Sequence, residues 1–153
     1  MTDIDRALFA EQLQLQKFIR LYSVPGLDLN VMVNHRWNVQ DMLAHIVAWH
    51  ESFAHNLSLL ADGKPAEPPR GTLRDVNREG VLSLRGIEIP WLLRRLRKAQ
   101  RIIEEHIYDD SITLIPYRKP GTSYTRQQHL DVVCGHIHQH FWELVDVYVA
   151  AKG

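Results

Sequence analysis

Between Asn38 and Ala61 large apolar residues recur at three- and four-residue steps: Met42, Ile46, Trp49, Phe53, Leu57 and Leu60. Only an α-helix lines such positions up on one face. The segment also carries its own start and stop. Asn38 is a good N-cap, Asp41 sits where the positive end of the helix favours an acid, and Asp62-Gly63 terminates the run. A long helix with an apolar stripe must bury it against other elements, and the rest of the sequence supplies more helices.

Residues 3–22 carry Ile4, Leu8, Leu15, Phe18 and Ile19 at helical spacing and are broken by Pro25-Gly26. Residues 72–84 read as a helix with Leu73, Val76 and Leu84 facing inward. A stretch from about Ile87 to Tyr108 follows, burying Trp91, Leu92, Leu96, Ile102 and Ile103. Pro90 fits there only near the start, where backbone N–H groups lack partners. Thr125-Arg-Gln-Gln128 is a capping-box pattern, and the last helix runs on through Leu130, Val133, Ile137, Phe141, Leu144 and Tyr148. No strand and no internal repeat is evident. The expectation is an all-α, four-helix bundle in a single domain spanning residues 1–153.

Composition narrows the function. Eighteen basic and eighteen acidic side chains give no basic excess, which argues against nucleic acid. No run approaches the ~20 apolar residues of a membrane span. The N-terminal residues are acidic and not a secretory signal, and the single cysteine, Cys134, fits a reducing cytoplasm. Nine histidines are the unusual feature.

His136 and His140 are spaced i, i+4 at the edge of the last helix's apolar stripe, so both rings project from one face. His45 lies at the edge of the Met42–Trp49–Phe53 stripe. Packed helices could bring the three together as ligands of one metal ion with positions left open, the pattern of catalytic rather than structural sites. Imidazole suits Zn, Ni, Fe or Cu and does not choose among them. The alternative is that these are boundary histidines hydrogen-bonded to neighbouring helices.

The stretch Trp37-Asn-Val-Gln-Asp41-Met-Leu-Ala-His45-Ile-Val-Ala-Trp49 resembles the second-helix signature of the DinB/YfiT-like family, and Gly135-His136-Ile-His-Gln-His140 resembles that family's final helix. The segment Asn77 to His106 is broadly similar to its third helix. The resemblance implies a DinB/YfiT-like four-helix bundle holding a divalent metal (Zn, Ni or Fe) on His45, His136 and His140, often as a homodimer. It implies thiol-dependent transfer or isomerisation with low-molecular-weight thiols. In a branch similar to the colibactin self-protection proteins, it implies hydrolytic opening of reactive electrophiles.

Other residues are read more plainly. Asp41 is either a carboxylate partner of the His45 imidazole or a helix-start acid, and Glu143 is either a general base or a solvated glutamate. His129 reads as a surface residue at the helix start, His50 and His138 as lying away from the core, and Trp37 and Trp49 as core anchors. Cys134 reads as an inert buried thiol, the Arg94–Lys98 run as a solvated face, and Tyr117 and Tyr124 as loop residues able to close over a pocket. The expected function is a cytoplasmic metal-dependent transferase or hydrolase acting on a small electrophile. The alternatives are a non-catalytic metal- or ligand-sequestering module, or a dimerisation scaffold.

Overall fold

The computed structural model describes residues 1–152. Its helices are α1 (Asp3–Leu21), α2 (Val39–Ala61), α3 (Leu73–Leu84), α4 (Ile89–His106) and α5 (Arg126–Lys152). Two-residue strands β1 (Ile115–Pro116) and β2 (Ser123–Tyr124) pair antiparallel in the connection before α5. The α2 helix packs chiefly on α4, α1 packs on α5, and the short α3 lies on α2. The four long helices make the expected bundle, and α3 is an addition to it.

Local sequence sets most helix starts. Thr2 with Asp5, and Asn38 with Asp41, form reciprocal capping boxes at α1 and α2. The Thr72 hydroxyl accepts from the Asp75 N–H at α3, and Pro90 stands in the first turn of α4. At α5 the Thr125 hydroxyl accepts from the Gln128 N–H while the Gln128 side chain accepts from the Thr125 N–H, as the pattern predicts. Between α3 and α4 the chain turns through Gly86 at φ +91°, a conformation that disfavours any side chain.

One apolar cluster joins Leu15 and Phe18 of α1, Met42, Leu43 and Ile46 of α2, Leu92 and Leu96 of α4, and Ile137 and Leu144 of α5. A second joins Phe53 and Leu57 to Ile103, Ile107, Ile115 and Leu130. Each such side chain removed from water contributes about 1.5–3 kcal/mol before the entropy of ordering is charged against it. None of the described helices is long and apolar enough to cross a membrane.

Three expectations need correction. Leu73 and Trp91, expected inside, are 45% and 56% exposed. Each sits in the first turn of its helix, at the end of its stripe, where the neighbouring helix no longer covers it. The β1–β2 pair was not expected, because two residues per strand between Pro116, Pro120 and Gly121 leave no alternation to read.

Candidate metal centre

Helix α2 brings His45, and α5 brings His136 and His140, to one point between the helices. The Nε2 atom of His136 lies 2.9 Å from Nε2 of His45 and 2.9 Å from Nε2 of His140. Among the described residues this is the one group of three or more histidine, cysteine or acidic side chains with ligand atoms all within 4.8 Å.

The arrangement is awkward for three rings alone. Nε2 of a neutral imidazole carries either one proton or one lone pair. The His136 Nε2 can therefore make one good hydrogen bond, yet it faces two nitrogens at bonding distance. A shared cation would resolve this by taking all three lone pairs at once. Two imidazole nitrogens bound at about 2.0–2.1 Å sit about 2.9–3.4 Å apart for bond angles of 90–110°, and the two observed gaps are on that scale. The donor set fits a divalent ion.

Electrostatics agrees. Burial pushes the His45 imidazole down to about 2, with His136 and His140 adding to the effect, and pushes His136 down to about 3. Both rings are thus held in the neutral form that a metal requires. On the far side of His140, its Nδ1 donates to Glu143 Oε2 at 3.0 Å, which leaves Nε2 as the lone-pair nitrogen. The Trp37 ring packs on His45 with centroids 4.5 Å apart and fixes one wall.

The two carboxylates considered from sequence are sorted by these contacts. Glu143, three residues after His140 and so one turn away, is the imidazole partner. Asp41 is the helix-start acid: its carboxylate accepts from the Asn38 N–H at 3.3 Å and faces Arg85 at 3.4 Å. His45 Nδ1 is buried with no hydrogen-bond partner.

Two histidines read as peripheral are inside. His50 is 2% exposed; its Nε2 donates to Gln100 Oε1 at 2.7 Å, while the Gln100 amide donates to Glu11 Oε1 at 2.7 Å. Glu11 is wholly buried, and that burial raises its carboxyl to about 7. His129 is 3% exposed, edge-on to Phe53 at 3.8 Å between centroids, with Tyr117 and Tyr124 beside it; neither ring nitrogen has a partner. The hairpin before α5 folds back over that turn, which no helical wheel of α5 alone could reveal. His138 is exposed, as expected, and meets Gln14 of α1. Cys134 is half-buried, its thiol pushed up by burial.

Beside His45 a cleft of about 350 Å³ opens between α2 and α3, lined by Trp49, Ser52, Arg70, Asn77 and Ser83 among others. Trp49 is held by a 2.7 Å hydrogen bond from its Nε1 to Asn77 Oδ1 and by stacking on Tyr117, rings 8° from parallel. Gly80 lets α3 approach closely here, since a Cβ at that position would lie 2.9 Å from Ala48 Cβ.

No family model and no curated protein matches the chain. Solved structures do. The mycothiol-dependent maleylpyruvate isomerase aligns with a TM-score of 0.73 at 12% identity over 92% of this chain, and a mutant form of it does so at 0.73 and 11%. This chain spans 60% of the length of that isomerase. An uncharacterised protein of Escherichia coli UTI89 aligns with a TM-score of 0.78 at 16% identity, over 97% of this chain and 94% of its own. Identities this low carry the fold alone, and the fold of this chain is the DinB/YfiT-like helical bundle.

Proposed function

We propose that this chain is a DinB/YfiT-like metal-dependent enzyme, a thiol-dependent transferase or a hydrolase, acting on small reactive electrophiles. The observation that carries the reading is the convergence of three Nε2 atoms from His45, His136 and His140 on one point, two of the gaps being 2.9 Å. A divalent ion held there (Zn, Ni or Fe) would supply Lewis acidity and lower the pKa of a water or thiol beside it. The chain's own residues do the rest. Glu143 holds His140 in the tautomer that presents Nε2. Trp37 keeps the His45 ring in place, and the α2–α3 cleft offers an electrophile an apolar wall, Trp49, with hydroxyl and amide groups around it. The mycothiol dependence of the isomerase neighbour supports a low-molecular-weight thiol as cosubstrate. The reading extends to a cytoplasmic homodimer, which light scattering at micromolar concentration checks; a monomer there rejects that part.

A second reading, a non-catalytic module that sequesters metal or ligand, draws on the enclosure of the site: His45 is 2% and His140 9% exposed. Metal-loaded and metal-stripped protein, assayed against epoxides and other strained electrophiles with and without thiols, separates the two. Turnover that needs the metal and is lost in His45→Ala supports the enzyme. Identical behaviour of the two preparations removes that support, and tight binding without turnover favours sequestration.

A further inference from the structure

The chain has no net formal charge, yet its arginines are not evenly spread. On α3, Arg74, Arg78, Val81 and Leu82 fall at steps of four, three and one, which is one stripe of the helix, and Arg85 follows as its C-cap. Facing that stripe are Arg36 and Trp37, from the segment before α2. Together these residues line a second cavity, of about 330 Å³, separate from the α2–α3 cleft.

Two carboxylates answer the four guanidiniums: Asp75 at 3.5 Å from Arg78, and Asp41, which accepts from both Nε and Nη2 of Arg85 at 3.4 Å. Arg36 meets only the His35 ring, and Arg74 has no partner among the described residues. Like charges at i, i+4, here Arg74 and Arg78, weaken a helix by a few tenths of a kcal/mol. The concentration is thus unfavourable for the helix by itself, and it becomes favourable when oxyanions fill it. The walls are not purely polar: Leu82 is 51% exposed and Trp37 half-buried beside the arginines.

We propose that this cavity binds a small organic polyanion, one carrying two or more carboxylate or phosphate groups on an apolar or planar body. Guanidiniums present paired N–H donors that match the oxygens of either group. The body lies against Trp37 and Leu82. Because Trp37 also packs on His45, the bound anion sits on the outer side of a wall of the histidine cluster. The site rests on its arginines and does not depend on the metal reading.

The test is calorimetric titration of the full chain, as purified, at about 0.1 M salt, where charges more than ~10 Å apart are screened. The probes are trimesate, a planar tricarboxylate, and hydroquinone bisphosphate, a planar ring with two phosphates; neutral benzamide is the control. The expected result is saturable one-site binding of at least one anion and none of benzamide, the tighter arm naming the oxyanion. Arg74→Gln with Arg78→Gln should weaken binding at least tenfold, and the same pair changed to Lys should weaken it less. Arg94→Gln with Arg97→Gln removes equal charge from α4 and should leave binding within twofold. Equal losses in the α3 and α4 pairs, no loss in the α3 pair, or binding of neither small anion would each overturn the proposal. Circular dichroism confirms that each variant remains helical.

Discussion

Glu143→Gln is the perturbation that most sharply tests the metal reading. The Glu143 carboxylate accepts from His140 Nδ1 at 3.0 Å, and a charged acceptor makes the opposite nitrogen a better donor to a cation. Glutamine can still accept the hydrogen bond but brings no charge. Loss of such a carboxylate typically costs 10- to 100-fold in metal affinity. The Glu143 side chain is 37% exposed, so solvent screens it and the lower end applies: about tenfold, or about 1.4 kcal/mol. Competition against a chromogenic chelator of known zinc affinity reads the change directly. Asp41→Asn is the paired control. Asp41 serves the α2 cap and faces Arg85, so its loss should lower stability by about 0.5–1 kcal/mol and Tm by roughly 1–4 °C, with zinc affinity unchanged. A tenfold affinity loss in Asp41→Asn with none in Glu143→Gln would refute the assignment of the two carboxylates.

Four further outcomes are expected. His136→Ala, which removes the nitrogen shared by both 2.9 Å contacts, should abolish stoichiometric binding of zinc and nickel while far-UV circular dichroism stays helical. Thermal melts of metal-free protein should fall as pH drops below about 6.5, because burial depresses His45, His50, His129 and His136, so the unfolded chain takes up protons there that the folded one refuses; Glu11, raised to about 7, has the opposite sign, losing stability as pH rises from about 4.5 through 7, so Glu11→Gln should stabilise by about 3 kcal/mol at pH 8 and little at pH 5. Gly80→Ala should cost about 1–3 kcal/mol in denaturant melts, since its Cβ would stand 2.9 Å from Ala48 Cβ and force α3 off α2.

The parts of this fold legible in the sequence were those governed by local rules. The caps at Asn38 and Thr125 and the position of Pro90 each act within one turn of chain, and the structure keeps them all. The pairing of His136 with His140 is a helix-periodicity statement of the same kind, whereas the meeting with His45 needed a fold and came from resemblance. What stayed hidden was tertiary cover. Helix α2 is packed by α4, α3 and α5 at once, so residues all round it are buried, from Asp41 through Val47 and on to His50 and Asn56. A single apolar stripe therefore marks too narrow an inside, and His50 fell beyond it. His129 failed for a related reason: the cover comes from Tyr117 and Tyr124, on a hairpin too short to leave a pattern.

The buried histidines of this bundle separate two properties that a sequence cannot distinguish. His45, His50, His129 and His136 are all driven toward the neutral form by burial, so neutrality alone does not mark a ligand. Partners do. The Nε2 proton of His50 is taken up by Gln100, whose amide is in turn taken up by Glu11, so that nitrogen has no lone pair free for a cation. His129 turns its ring to the edges and faces of Phe53, Tyr117 and Tyr124; neither ring nitrogen has a hydrogen-bond partner, and no histidine, cysteine or acid among the described residues makes a group of three with it. At His136 two other imidazole nitrogens stand 2.9 Å away and a single proton cannot serve both. Convergent lone pairs, not burial or helical spacing, single out that corner of the bundle as the candidate metal site, and the two other buried histidines lack them.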